Sequence, residues 1–341
     1  MSGYRTLFVT ERGQRHQRAA LEAAPRELDV VMLCRPAPDE LRSHLAEAVF
    51  VISERVGVVG ADVISAAPKL KLVLRLGSLT HDIDLDAARA AGVAVSWWPQ
   101  AGAIAVAEHV MMQILALIKR LREAEAVALA ADDWGPSRRT DSDTFAYNWS
   151  HRNDIGSLRG KTVGILGFGE IGVELARRLA GWECTVLYHR RRRFPPRVEQ
   201  QLKIVYAERD SLLAESDIVA NLLPYSRDGD QSLGAAQFVA MKHGALFVSC
   251  GSGSVVDEAA LADGIRAGHL GGVALDTFEW EPLKPDNPLR QLANEGPHWN
   301  VVLTPHIAGG APPKGVTSFR ATEYEPILKC LRGEPVPNRL V

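Results

Sequence analysis

Apolar residues fall in short runs along the first hundred positions, and stretches of mixed pattern separate the runs. TLFVT (residues 6–10), DVVML (29–33), AVFVIS (48–53), KLVLRLG (71–77) and VAVSWW (93–98) are almost continuously apolar. That is how strands covered on both faces read. Between them, HQRAALEAA and ADVISAAPKL carry helical spacing. Strand and helix in alternation predict a parallel sheet with helices on both sides. A second alternating series opens at KTVGILGFGEIG. It predicts strands at TVGILG, CTVLYH, IVANLL, ALFVSC, GGVALD and VVLTP, and helices at IGVELARRLAG, SLLAES and DEAALADGIRAG. The pattern predicts an α/β protein of two doubly wound parallel-sheet units, one following the other.

One long helical pattern, containing AVAEHVMMQILALIKRLREAEA, runs from Ala103 to about Ala131 and joins the two series. Its length suits a helix that passes from one domain to another. An aromatic and polar loop from Trp134 to Asp154 follows, longer than ordinary connections. It carries Arg138, Arg139, Phe145, Tyr147 and Trp149 and is expected to line a site or to meet a partner subunit. The final segment, TSFRATEYEPILKCLRGEPVPNRLV, reads as one helix and an extended tail.

Composition narrows the classes. At about 100–200 residues per domain, a chain of 341 residues is long enough for two cores. Hydrophobic residues make up 46% and the formal net charge is −2, so no global basic field points to nucleic acid. No stretch reads as about 18 uncharged apolar residues, so no membrane partner is expected. Four cysteines (Cys34, Cys184, Cys250 and Cys330) show no metal-ligand spacing, which suits a reducing, cytoplasmic location. No metal site is expected.

GFGEIG, Gly167 to Gly172, fits GxGxxG between an apolar strand and a helix. In that context the first glycine serves a tight turn. The second lets the backbone approach a pyrophosphate, and the third lets helix and strand pack closely. The loop Gly167, Phe168, Gly169, Glu170, Ile171 and Gly172 is therefore expected to hold a dinucleotide; the bland alternative is a glycine-rich turn without a ligand. A site selective for NAD carries an acid at the end of the next strand, on the ribose 2′-hydroxyl. Here that end is His189, followed by Arg190, Arg191, Arg192 and Arg193. Guanidinium groups suit a 2′-phosphate, so NADP(H) is expected to be preferred, with NAD(H) as the alternative cofactor. The bland reading of the arginines is a solvated basic loop.

Several blocks in order resemble the D-isomer-specific 2-hydroxyacid dehydrogenase family: LRLGSLTHDIDLDAARAAGVAVSWWP, AVAEH (Ala105–His109), LRGKTVGILGFGEIG, NLLP (Asn221–Pro224), MKHGALFVSCGSGSVVDEAAL, GGVALDTFEWEPL and NVVLTPHIAGG. The resemblance covers nearly the whole chain. It implies that a Rossmann nucleotide domain, residues 104–311, is inserted into a flavodoxin-like substrate domain, residues 1–103 plus 312–341. It further implies an active-site cleft, a small-molecule substrate and a homodimer.

By the same resemblance the catalytic histidine is His306 and its glutamate Glu281. His306 would give a proton to a carbonyl oxygen, and Glu281 would hold its other ring nitrogen. Leu223, Pro224, Cys250, Gly251, Asp276 and Gly309 fall in the blocks beside the nicotinamide; a turn or helix cap is the other reading of Asp276. Gly77, Ser78 and Leu79 stand where the family presents backbone N–H groups to a carboxylate. Trp97 replaces a common asparagine of that region, and Trp97 with Trp98 reads otherwise as core.

In the family an arginine precedes the glycine of RGxxVDE; here that position is Ser252. Losing a buried charged partner costs about 2–5 kcal/mol, so the substitution implies an altered substrate or weakened chemistry. The expected function is hydride transfer between a nicotinamide and a 2-oxo or 2-hydroxy acid or related carbonyl compound. The alternatives are a non-catalytic redox-sensing protein that binds the nucleotide, and an enzyme of this fold whose substrate lacks the usual carboxylate.

Overall fold

A computed structural model describes residues 3–54, 59–130, 134–143, 148–310 and 320–341. The chain forms two compact units, one of Met1–Ile104 with Gly310–Val341 and one of Ala105–Gly309.

The first unit holds a five-stranded sheet of β1 (Tyr4–Thr10), β2 (Leu28–Cys34), β3 (Phe50–Glu54), β4 (Leu72–Leu76) and β5 (Ala94–Trp98). All pairs are parallel and the order is β2-β1-β3-β4-β5. The register explains why the strands read as apolar throughout. Val31, Leu7, Val51, Val73 and Val95 align across the sheet and feed one core cluster. The next row, Met32, Phe8, Ile52 and Leu74, points the other way into a second cluster. Side chains alternate faces along a strand, so a sheet buried on both sides needs apolar residues at every position.

The C-terminal segment returns to this sheet. Tyr324 and Ile327 are fully buried in the second cluster, and the Tyr324 hydroxyl donates to Ala20 O at 2.8 Å. The Ser96 hydroxyl donates to Pro337 O at 2.6 Å, and Leu340 N–H donates to Val95 O at 2.8 Å. At the carboxyl ends of β1 and β3 lies a buried charged group. Glu54, 1% exposed, accepts from the Thr10 hydroxyl at 2.8 Å and from Arg320 at 3.2 Å, with Arg12 Nε at 3.3 Å. Glu323 lies 3.3 Å from Arg320.

The second unit holds seven parallel strands: β6 (Thr162–Leu166), β7 (Thr185–His189), β8 (Val205–Tyr206), β9 (Ile218–Asn221), β10 (Ala245–Ser249), β11 (Leu270–Leu275) and β12 (Val301–Leu303). The order β12-β11-β10-β9-β6-β7-β8 reverses between β6 and β9. In open α/β sheets ligands bind outside the carboxyl ends of strands at such a reversal. Both units are thus doubly wound parallel sheets, as the alternation of apolar runs predicts.

The helical pattern after Ala103 is not one helix. It divides into Ala101–Ile118 and Leu121–Leu129, because Arg120 adopts a left-handed φ of 46°. One local and two distant bonds hold the break: Arg120 Nε pairs with Glu123 at 2.8 Å and Asp154 at 2.9 Å, and its terminal nitrogen donates to His298 O at 2.8 Å. The helix Ala101–Ile118 is long and apolar enough to cross a membrane by length and composition, although Glu108 and His109 interrupt its apolar run. Half of it is buried in the protein. Gln113 has no exposed surface, and Glu108 pairs with Arg178 at 2.8 Å.

Candidate active site and nucleotide loop

The glycine loop follows β6 directly, at the reversal of the second sheet. Gly167 has φ 82°, and a Cβ there would lie 2.6 Å from Leu222 C and Leu223 N, so the tight turn requires glycine. Gly169 precedes the helix Glu170–Leu179 and has open space where its Cβ would stand. Glu170 and Ile171 open that helix, whose first N–H groups have no carbonyl partner four residues back. These features fit a pyrophosphate: an open backbone approach, a helix N-terminus and no side chain in the way.

A Cβ at Gly172 would meet the Phe168 ring at 3.0 Å, so the third glycine makes room for the loop's own phenylalanine. Phe168 is buried and packs on Tyr188 and Phe194, with ring centroids at 5.0 and 5.8 Å. Only its backbone is left to face a ligand.

The basic turn is partly structural. Arg193 makes two bonds to Glu199, at 2.8 and 2.9 Å, which hold the Glu199 carboxyl below its usual range. The Arg190 guanidinium lies 4.0 Å over the Phe194 ring. His189 Nδ1 bonds Ala207 O at 3.0 Å. Arg191 and Arg192 are exposed and make no ion pair among the described residues.

The segments after β9, β10 and β11 are laced by backbone bonds. Cys250 and Gly251 N–H donate to Asn221 O at 3.2 and 3.0 Å, and Ser252 N–H donates to Leu223 O at 2.8 Å. A Cβ at Gly251 would lie 2.7 Å from Leu223 O, so the close approach requires glycine. Pro224 is exposed beside this crossing. The Cys250 thiol donates to Gln113 Oε1 at 3.3 Å, and burial, with the Asp276 charge, pushes its pKa up. The Ser252 hydroxyl lies 3.3 Å from the Ser254 hydroxyl, a neutral pair.

The structure brings His306 and Glu281 together. His306 Nδ1 lies 2.6 Å from Glu281 Oε2, and Glu281 Oε1 accepts Phe278 N–H at 3.0 Å. A carboxylate only accepts, so Nδ1 carries a proton and Nε2 is the nitrogen left for chemistry. His306 has a left-handed φ of 55°. The turn that imposes it is held by Asp276, 1% exposed. Asp276 accepts from the Thr304 hydroxyl at 2.6 Å and from Ile307 and Ala308 N–H at 3.0 and 2.9 Å. Asp276 therefore caps the turn that carries His306. Gly309 follows, exposed.

Sequence reasoning missed His109. Its Nε2 lies 3.0 Å from Thr304 Oγ1 and 3.6 Å from Asp276 Oδ1. The signal was present in AVAEHVMMQ, where His109 and Gln113 fall four apart and share a helix face.

In the first unit, Gly77 follows β4 with φ 134° and donates its N–H to Trp98 O at 2.9 Å. Ser78 is buried and Leu79 half-buried beyond it. Trp97 is half-buried with its N–H directed at Asn338 O, 3.4 Å away, while Trp98 packs against the core, its bland reading. Arg138 and Arg139 are exposed, and Trp134 meets Trp149 edge-on at 5.5 Å. Phe145 and Tyr147 lie outside the described residues.

Comparison with known proteins gives this geometry its family. A family model described as D-isomer specific 2-hydroxyacid dehydrogenase, NAD binding domain, matches residues 111–308. A D-3-phosphoglycerate dehydrogenase of Archaeoglobus fulgidus is 34% identical over 293 residues, which are 86% of this chain and 51% of that protein. The chain thus spans about half the length of the phosphoglycerate dehydrogenases it matches. A glyoxylate/hydroxypyruvate reductase B of Klebsiella pneumoniae is 33% identical over 294 residues, 86% of this chain and 84% of that one. A Pyrococcus horikoshii protein of known structure is 28% identical, with a TM-score of 0.56 over 98% of this chain and 94% of its own. Motif order, sheet topology and these matches agree, and the chain belongs to the D-isomer-specific 2-hydroxyacid dehydrogenase family.

Proposed function

We propose that the protein is a nicotinamide-dependent oxidoreductase that reduces a 2-oxo acid, or a close carbonyl relative, to the hydroxy compound. The observation that carries this reading is the 2.6 Å contact of His306 Nδ1 with Glu281 Oε2. A bound reduced nicotinamide would supply the hydride that the carbonyl carbon receives. His306 Nε2 delivers the proton to the carbonyl oxygen, and the Glu281 carboxylate stabilises the imidazolium before transfer and keeps the ring in one tautomer. In the oxidative direction the same nitrogen accepts the hydroxyl proton. A protein that only senses nucleotide has no use for this pair.

The loop Gly167–Gly172 would hold the pyrophosphate, and the Gly77–Leu79 turn is our assignment for the substrate's carboxylate. We assign NADP(H) as the preferred cofactor, supported by the absence of an acid at the His189 turn and by Arg190 and Arg191 beside it. A homodimer and a cytoplasmic location accord with the family and the free cysteines. Ser252 favours a second reading, a substrate whose carboxylate is missing or held elsewhere.

Turnover of glyoxylate and hydroxypyruvate with NADPH and NADH tests the proposal. His306→Ala should abolish reduction while NADPH binding stays within about two-fold. NADPH should bind several-fold tighter than NADH, with the gap closing at high salt. Unchanged turnover in His306→Ala would sink the mechanism, and equal affinities would sink the cofactor preference alone.

A further inference from the structure

His306 is 60% exposed in its side chain and lies in a left-handed conformation. Such a residue keeps one geometry only if its surroundings impose it. Glu281 fixes one ring nitrogen, but the backbone of the turn is fixed from behind, by Asp276 and Thr304. The second unit places a further pair of groups behind those two. His109 and Gln113, on one face of the helix Ala101–Ile118, both reach Thr304 Oγ1, at 3.0 and 3.5 Å.

The proton count at Thr304 fixes the roles. Its single hydroxyl proton goes to Asp276 Oδ1, the nearest acceptor at 2.6 Å. Toward His109 the same oxygen can therefore only accept, so His109 Nε2 is the protonated nitrogen. That N–H also lies 3.6 Å from Asp276 Oδ1. Asp276 passes the order forward through its bonds to Ile307 and Ala308 N–H, the two residues after His306. The side chain of His109 is 12% exposed and Gln113 has no exposed surface, so water cannot freely replace either.

We propose that His109 is a positioning residue: through Thr304 and Asp276 it holds the turn of His306 so that Nδ1 stays on Glu281. The proposal rests on the acid/base reading of His306. It deepens that reading by placing the control of the proton donor on the helix that begins in the first unit and continues through the second. His109 itself passes no proton to substrate. Its effect is on the fraction of molecules in which the His306–Glu281 pair is formed. It should therefore appear in kcat and leave cofactor affinity alone.

Two readouts test this on the full-length protein. The first is the downfield proton NMR resonance of the His306 Nδ1–H, assigned by its loss in His306→Ala. The second is steady-state reduction of glyoxylate with NADPH. In His109→Leu the resonance should broaden or vanish, and kcat should fall about ten-fold or more, a change of about 1.4 kcal/mol, with the KM for NADPH within about two-fold. His109→Gln, whose amide can donate to Thr304, should restore both. Thr304→Val, which also removes the bond to Asp276, should lose at least as much as His109→Leu, and the double variant should be no worse than Thr304→Val alone, because His109 acts through Thr304. This cycle and the glutamine variant keep the test sharp if His109→Leu folds poorly. A wild-type resonance retained in both His109→Leu and Thr304→Val, or additive losses of kcat, would overturn the proposal. If no carbonyl substrate is turned over and the resonance still behaves as stated, the oxidoreductase reading fails and the positioning role stands.

Discussion

Two alanine substitutions two residues apart, at Gly167 and Gly169, should have opposite consequences. Gly167→Ala places an L-residue at φ 82° and drives its Cβ to 2.6 Å from Leu222 C and Leu223 N. Strained φ costs about 1–3 kcal/mol. The overlap is with backbone and cannot be relieved by a rotamer, so overpacking adds a similar amount of about 1–3 kcal/mol. For a domain of this size about 1 kcal/mol moves Tm by about 2–4 °C, so the unliganded protein should melt about 4–24 °C lower. Gly169→Ala meets nothing within 4 Å and keeps an extended backbone, φ −106° and ψ −152°. It loses only the preference for glycine over alanine at a helix start, about 1 kcal/mol at most. The methyl instead occupies the approach of a pyrophosphate oxygen. Each lost bond to a charged group is worth about 1.5–3 kcal/mol, so NADPH affinity should fall about ten- to a hundred-fold. Thermal unfolding without ligand and NADPH fluorescence titration read the two effects separately. Wild-type affinity in a folded Gly169→Ala protein would refute the loop as the pyrophosphate site. An unchanged Tm in Gly167→Ala would refute the strained turn.

Ser252→Arg should raise kcat/KM for glyoxylate or hydroxypyruvate about ten-fold or more, since a guanidinium can hold carboxylate and carbonyl together; a folded, NADPH-binding variant without any gain would count against the substrate-shift explanation. Burial raises Glu323 to about 7 from an ordinary 4.5, Glu54 adding to the rise and Arg320 opposing it. A raised carboxyl pKa means that the folded state holds the proton more tightly. The stability is therefore fully present below about pH 4.5 and is lost as pH rises toward 7. Glu323→Gln should remove that slope and be more stable than wild type at pH 8 by up to about 3 kcal/mol; equal denaturant midpoints for both proteins across pH 5–8 would show that the group does not titrate there.

Much of the architecture was legible because buried parallel strands have no polar face. The apolar runs mark ten or more strands to within one or two residues, and GxGxxG marks the reversal in the second sheet. Short helices such as Pro38–Leu45, Leu85–Ala90 and Pro288–Glu295 left no such mark; they are two turns long and too short for a period to emerge. The break at Arg120 was invisible because a residue of good helix propensity adopts a left-handed conformation there for distant bonds to Asp154 and His298. At the site, His306 and Glu281 were found through motif order, and their 2.6 Å contact needed coordinates. The division of labour among four consecutive arginines was equally hidden, because Glu199, the residue that claims Arg193, lies six positions downstream. His109 went unnoticed because its partners, Asp276 and Thr304, lie more than 160 residues later in the chain.

The first unit is interrupted, and its last pieces arrive last. Tyr324 and Ile327 fill its core, Arg320 neutralises Glu54 inside it, and the residues around Pro337 and Leu340 bond the edge strand β5. A ribosome releases the chain from the N-terminus, at about 5–20 residues per second. The uninterrupted second unit can therefore close while the first still shows an uncovered sheet face, a carboxylate without its guanidinium and an open β5 edge. For the roughly ten to forty seconds that this rate implies for the intervening residues, the nascent first unit is a client for chaperones and for strand addition by a neighbouring chain. Substitutions in the last twenty residues should thus lower the yield of soluble protein more than they lower the stability of the molecules that finish folding.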